Sequence, residues 1–363
     1  MGGCASALRG KTMSLRRICI VPRLSGVGGM VSFQHKLTAG LSARGIEVCH
    51  DLEDAPCAAV LVIGGTRQLA ALWRIRRRGV PIVQRLNGRN WLHRLRRTGL
   101  RHYLRAEYGN RLLSFIRTRL AHAVVYQSQF ARGWWEDECG TTPVPNMVIY
   151  NGVDLKHFTP HGTTSRPEDC FRLLLVEGSL LGGYEMGLET AVQLSGELAK
   201  RLAQSRSSAA KGQRVELMVV GRVSAGLKVR VEQSSPVRID WAGLLPQECI
   251  PQIDRSAHLL YSADLNAACP NSVIEALACG TPVVAFDTGA LPELVAEGVG
   301  KVVSYGGNPW QLDAPDIAAL AEAAHEILAN QPRFRAAARA HAEAWFGLEK
   351  MVTAYLSVLQ GNI

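Results

Sequence analysis

No Cys-x-x-Cys pair and no histidine cluster at metal-ligand spacing occurs in the 363 residues, although nine cysteines are scattered through them. This excludes a disulfide-framed small fold and a structural zinc of the usual spacing, and it fits a reducing compartment. No apolar run approaches the ~20 residues that a membrane-spanning helix requires. Acids are missing from one long stretch: Arg67 to Arg119 holds 15 arginines and a single acid, Glu107. The imbalance is regional, with 24 Lys+Arg against 9 Asp+Glu in residues 1–160 and 17 against 22 in the remainder. A basic first half suits anionic lipid, polyphosphate, an anionic acceptor or nucleic acid, and it is equally the look of a solvated arginine-rich surface. What is present is a 47% hydrophobic chain, long enough for two domains with separate cores.

Strand and helix patterns alternate along nearly the whole length. Arg17–Val21 reads as a short buried strand, followed by the glycine loop Ser25-Gly26-Val27-Gly28-Gly29 and a helix from Met30 to Ala43. Such a unit lets backbone approach a ligand at the carboxyl end of a strand. Further strands are predicted at residues 46–48, 58–63, 81–84 and 123–126. The stretch from Arg85 to Asn90 reads as a polar loop, and the helix after Tyr126 carries Trp134 and Trp135, which read as packing residues. The polar, aperiodic stretch 161–170 is the best domain boundary. A second series follows, with strands near 171–176, 215–220, 237–240, 258–261 and 301–303 and a helical last third. The predicted fold class is therefore α/β, two parallel sheets with ligands at their carboxyl edges. The expected divisions are a disordered tail (1–14), a first domain (15–160), a linker (161–170), a second domain (171–343) and a final segment (344–363). Within the tail, Met1-Gly2-Gly3-Cys4-Ala5-Ser6 fits the short N-myristoylation pattern.

The most informative stretch runs from Cys269 to Ala285. Asn271 or Ser272 is placed to cap a short helix, Gly280 and Pro282 to end it, and Val283-Val284-Ala285 to enter a covered parallel sheet. Glu275 lies one turn inside that helix, whose amino end offers free N–H groups to a phosphate. Ser272-x-x-Glu275 is also the spacing of a capping box.

These residues, with Tyr150-Asn151-Gly152-Val153-Asp154, Gly289-Ala290-Leu291-Pro292-Glu293 and Gly298–Gly300, resemble the retaining glycosyltransferases of family 4, in a divergent branch. The resemblance implies the GT-B fold: two Rossmann-like domains facing an interdomain cleft, with a C-terminal helix crossing back to the first domain near Lys350–Tyr355. It implies a donor nucleotide held by its ribose on Glu275 and by its diphosphate on Asn271, Ser272 and Val273, with Gly28 and Gly29 facing the same phosphates. Gly178, Ser179 and Arg222 complete the expected donor site. Asn87 joins Glu275 as an expected catalytic residue, and Arg89, Trp91 and His93 are placed on the acceptor side.

Three positions depart from the family pattern. Ala267 stands where the first glutamate of a Glu-x7-Glu signature contacts the sugar. Ser179 and Met186 stand where a basic pair neutralises the departing diphosphate, which leaves Arg222, Arg23 or Arg89 as replacements. Asn87-Gly88 occupies the place of a histidine near the acceptor. The function implied is retaining transfer from a nucleotide-diphosphate sugar to a glycan, lipid-linked or small-molecule acceptor, without metal or other cofactor. A cytoplasmic protein meeting anionic membrane through the Arg67–Arg119 region is expected. The alternative is a non-catalytic GT-B protein that binds nucleotide or glycan. Specific nucleic-acid binding ranks last, because no recognition module surrounds the arginines.

Overall fold

The strand–helix alternation closes into two six-stranded sheets, each wholly parallel. The computed structural model describes residues 16–26, 28–54, 56–96, 99–204 and 214–362. The amino-terminal lipidation pattern and the polar insertion beyond Gln204 lie outside these residues.

The first sheet contains β1 (Arg17–Val21), β2 (Glu47–Cys49), β3 (Ala59–Ile63), β4 (Ile82–Leu86), β5 (Ala123–Tyr126) and β6 (Asn146–Val148), in the order β2-β1-β3-β4-β5-β6. Its helices are α1 (Gly29–Ser42), α2 (Leu69–Arg77), α3 (Leu92–Leu95), α4 (Leu100–Phe115) and α5 (Gln129–Cys139). The second sheet contains β7 (Cys170–Ser179), β8 (Arg214–Arg222), β9 (Arg238–Gly243), β10 (Leu259–Tyr261), β11 (Val283–Phe286) and β12 (Lys301–Val303), ordered β12-β11-β10-β7-β8-β9. Helices α6 (Glu185–Gln204), α7 (Ala225–Ser234), α8 (Ile250–Ser256), α9 (Asn271–Ala278) and α10 (Leu291–Leu294) connect these strands. Helices α11 (Ile317–Ala329), α12 (Gln331–Trp345) and α13 (Leu348–Leu359) close the chain.

Central strands are unbroken apolar runs because helices cover both faces of each sheet: every residue of β3, β5 and β11 is buried. In each sheet the order reverses once, between β1 and β3 in the first and between β7 and β10 in the second. At such a switch point the connections leave to opposite faces and open a crevice at the strands' carboxyl ends.

Helix α13 returns to the first sheet. Val153 and Gly347 form a bridge, and Met351, Val352, Tyr355, Val358 and Leu359 pack with Phe33, Leu37 and Leu41 of α1. The rings of Phe33 and Tyr355 stand 5.1 Å apart. Each such buried side chain contributes about 1.5–3 kcal/mol, so the last helix fixes one half against the other.

Three local features differ from the sequence reading. Arg85 and Leu86 belong to β4 and are buried, because the strand runs two residues further than its apolar pattern. Strand β6 and helix α7 lack a strong apolar period and were not anticipated. No helix among the described residues is long and apolar enough to cross a membrane.

β7 is irregular between Val176 and Ser179, where its register against β8 shifts. Gly221 faces that irregularity with φ 141°, and a Cβ there would lie 2.0 Å from the Glu177 carbonyl oxygen. A backbone oxygen has no rotamer with which to escape. Gly221→Ala is therefore expected to destabilise the chain by about 1–3 kcal/mol in urea unfolding, as overpacked substitutions do; an unchanged midpoint would contradict this packing.

Candidate active site

The carboxyl edges of the two sheets face one another across a cleft of ≈ 1010 Å³. The first half lines it with Leu24, Ser25, Gly26 and Gly28 of the glycine loop, the first turns of α1, the segment after β4, Gln127 and Asn151. The second half contributes Val176–Gly178, Tyr184, Leu244–Gln247 and the stretch from Asp264 to Glu275.

Helix α9 sets one wall. Its Val273, Ile274, Ala276 and Leu277 are buried in the second core, which leaves Glu275 at the cleft with only 6% exposure. Pro270, not Asn271 or Ser272, occupies the cap position, and no side chain caps the helix. The capping box that Ser272 and Glu275 could make is therefore not formed. The first-turn N–H groups have no intrahelical acceptor. Glu275 turns instead to the other half: Lys36 Nζ on α1 donates to its Oε1 at 2.9 Å, and Gln247 Nε2 donates at 3.4 Å. Opposite α9 lies the glycine loop. Gly28 has φ 130°, and a Cβ on Gly29 would have only Asn271 Nδ2, at 3.6 Å, within contact range.

A second wall follows the switch point of the second sheet. Glu177 from β7 and Asp264 just after β10 line it, both part-buried. Burial, then the charge of Asp264, pushes the Glu177 carboxyl upward, and burial pushes Asp264 upward. Tyr184 beside them is pushed up to about 12, by burial and then by the two carboxyls. Ala267 lines the cleft without a functional group.

The remaining sequence-derived residues divide. Gly178, Asn87, Arg89, Trp91 and His93 line the cleft, as do Gly28, Gly29, Asn271, Ser272 and Glu275. Ser179, Arg222 and Val273 do not: Ser179 and Arg222 pair with each other on the exposed ends of β7 and β8, and the Val273 side chain is in the core. Arg23 is exposed and lies outside the cleft lining as well. Asn87 accepts from Trp135 Nε1 through its carbonyl at 2.6 Å. Arg89 stacks on Trp135 and turns toward Glu138. His93 is buried with Nε2 2.9 Å from Glu107. Trp91 and Trp134 meet Trp310 of the second half at 5.1 and 4.9 Å, an aromatic contact across the two halves. Glu293 makes another: it accepts from the backbone N–H groups of Gln129 and Phe130, at the start of α5, at 2.8 and 2.6 Å.

Arg85 was missed in the sequence, having been read as a loop residue. It is 1% exposed, lines the cleft, lies 3.7 Å from the centre of the Phe33 ring and donates to Asn151 Oδ1 at 2.9 Å. Asn151 in turn donates to the Cys269 carbonyl, so a buried cation is tied to the loop that opens α9. Its only sequence signal is an arginine between the apolar start of this strand and Leu86.

The Glu177–Asp264 pair makes stability depend on pH with a definite sign. A carboxyl whose folded-state pKa is raised keeps its proton in the native chain after the unfolded chain has lost it. Native stability then falls as pH rises above the ordinary carboxylate range. Glu177→Gln carries no such proton, so its melting temperature relative to the wild type should rise between about pH 5 and about pH 8. A difference that stays constant across that range would contradict the shift.

Two family profiles match the chain: "Glycosyltransferase Family 4" over residues 60–157 and "Glycosyl transferases group 1" over residues 192–330. Together they cover more than half of it. The chain is 29% identical over 241 residues to a D-inositol 3-phosphate glycosyltransferase of Geodermatophilus obscurus, a match spanning 62% of this chain and half the length of that relative. Among solved structures it resembles a sucrose-phosphate synthase from Thermosynechococcus elongatus (TM-score 0.70, 16% identity, 95% of this chain and 98% of that one). It also resembles Anabaena HepE in complex with UDP and glucose (TM-score 0.67, 16% identity, 95% and 100%). A third likeness is to WaaG, a glycosyltransferase involved in lipopolysaccharide biosynthesis (TM-score 0.67, 13% identity, 95% and 100%). With the double parallel sheet, the facing cleft and the returning helix, the chain has the GT-B fold and carries the two domains described as family 4 and group 1 of the glycosyltransferases.

Proposed function

We propose that the cleft moves a sugar from a uridine diphosphate sugar to a glycan, lipid-linked or small-molecule acceptor, with retention of configuration. One observation carries the reading: the buried Glu275 carboxylate and the uncapped first turn of α9 share a cleft wall, and Gly28 and Gly29 face them. A carboxylate accepts from two adjacent ribose hydroxyls, while helix-start amides and a glycine loop receive diphosphate oxygens. Uridine is favoured because the similar HepE structure holds UDP.

Charge on the departing diphosphate is opposed by Arg85 beneath the Cys269–Asn271 loop and by Lys36 beside Glu275. Arg222, Ser179 and Met186 take no part in this. Retention follows when the departing phosphate draws the acceptor proton on the face that the acceptor attacks. That step asks for positioning and charge stabilisation, and we assign it neither an enzymic nucleophile nor a metal ion. The acceptor enters against the first half, along Arg89, Trp91 and His93.

The first half also carries a surface suited to the cytoplasmic face of an anionic membrane. Leu100, Leu104, Tyr108 and Phe115 form an exposed stripe on α4, spaced at helical intervals, with Arg101, Arg105, Arg111 and Arg119 exposed beside it. Apolar side chains enter the interface while the arginines meet lipid phosphates. This surface supports a lipid-linked acceptor and a role in polysaccharide synthesis.

Glu275→Gln tests the donor role, because glutamine keeps the size and the bond to Lys36 but loses a charge-assisted grip on ribose. The expected loss in kcat/KM for a UDP-sugar is about 100-fold or more, with the melting temperature measured alongside. A folded Gln variant with full kcat/KM would refute it.

A further inference from the structure

The nucleotide reading leaves one wall of the cleft without a task. It lies where β7 and β10 run side by side at the switch point of the second sheet. Glu177 and Asp264 face the cleft from the ends of these two strands, and no cation pairs with either carboxyl among the described residues. Asn266 lines the same wall in a left-handed conformation (φ 57°). It is only 5% exposed, and its Nδ2 has no partner in the protein. A buried amide donor without an acceptor is costly, and a left-handed backbone at a non-glycine residue is uncommon outside functional sites.

The wall is also rigidly built. A Cβ on Gly289 would lie 2.5 Å from both the nitrogen and the carbonyl oxygen of Ala267, and one on Gly187 would lie 2.9 Å from Ala263 Cβ. Together with Gly221 against Glu177, these glycines let backbone pack on backbone behind each of the wall residues. Side chains held by such a support keep their geometry.

We propose that Glu177, Asp264 and Asn266 form the subsite for the donor's sugar, in place of the glutamate replaced by Ala267, and that this sugar is an uncharged hexose. The inference rests on the nucleotide-sugar reading above. Each carboxyl accepts from sugar hydroxyls, a protonated carboxyl donates in return, and the Asn266 amide donates to a further oxygen. Tyr184, 45% exposed at the same wall, offers a ring face to the sugar's C–H groups. A uronic acid would add its own negative charge beside two acids that no cation neutralises among the described residues, and like charges at close quarters reject a ligand strongly.

Calorimetric titration of the full chain with UDP, UDP-glucose and UDP-glucuronic acid tests this. The wild type is expected to bind UDP-glucose at least about tenfold tighter than UDP, and tighter than UDP-glucuronic acid. Glu177→Gln, Asp264→Asn and Asn266→Gly should each remove most of that increment while leaving UDP affinity unchanged. Retained UDP binding shows in the same titration that the variant is folded, and glycine keeps the positive φ at position 266. The double variant E177Q/D264N should bind UDP-glucuronic acid more tightly than the wild type does. Variants that bind UDP-glucose as the wild type does, a wild type without a sugar increment, or equal affinity for the two UDP-sugars overturns the subsite while the nucleotide reading stands. Absence of UDP binding overturns the nucleotide reading itself, and the subsite with it.

Discussion

A carboxylate on one half of this chain is held out of water by an ammonium group on the other. Glu275 and Lys36 have side-chain exposures of 8% and 13%. Burying two charges costs several kcal/mol per ion, which their attraction offsets only in good geometry and with further hydrogen bonds. Here the geometry is a 2.9 Å contact reinforced by Gln247, and it exists only while the halves are apposed. The α9 wall, the glycine loop and the cleft between them depend on that apposition. The other bridges act in the same sense. Glu293 receives the first N–H groups of α5, Trp310 sits among Trp91 and Trp134, and α13 is packed on α1.

The two sheets explain why the chemistry gathers where it does. Each reverses its strand order once, so each presents an open crevice at its carboxyl edge. The first places Gly28 and Gly29 after β1, and the second places Glu177 at the end of β7 and Asp264 after β10. Facing these edges across a cleft brings the Gly28–Gly29 loop, Glu177 and the Asp264–Glu275 stretch together from three separate parts of the sequence. Catalysis in such a site rests on charges and dipoles fixed before the substrate arrives.

The fold was largely legible because its signals are local. Apolar runs such as Ala59–Ile63 and Val283–Phe286, glycine punctuation and polar loops mark a parallel α/β chain from sequence alone. The α9 wall of the cleft was legible for a similar reason, since the Cys269–Ala285 stretch packs loop, helix and strand into one segment. What stayed hidden depends on partners distant in sequence. Arg85 follows Gln84 in β4, a polar pair at which the apolar strand pattern stops, and only the folded chain shows that Asn151 and Phe33 shelter it. Ser179 and Arg222 are site residues by the family resemblance alone, and in the fold they stand paired on the exposed ends of β7 and β8. Glu177 and Asp264 stand 87 residues apart, so their approach leaves no trace in local spacing.

The central claim is that the cleft holds a nucleotide sugar with its ribose on Glu275. A crystal structure of the chain with UDP tests it most directly. The account predicts ribose hydroxyls within hydrogen-bond distance of the Glu275 carboxylate and the diphosphate between Gly28–Gly29 and the first turn of α9. UDP bound elsewhere, or bound in the cleft with its ribose away from Glu275, would contradict it.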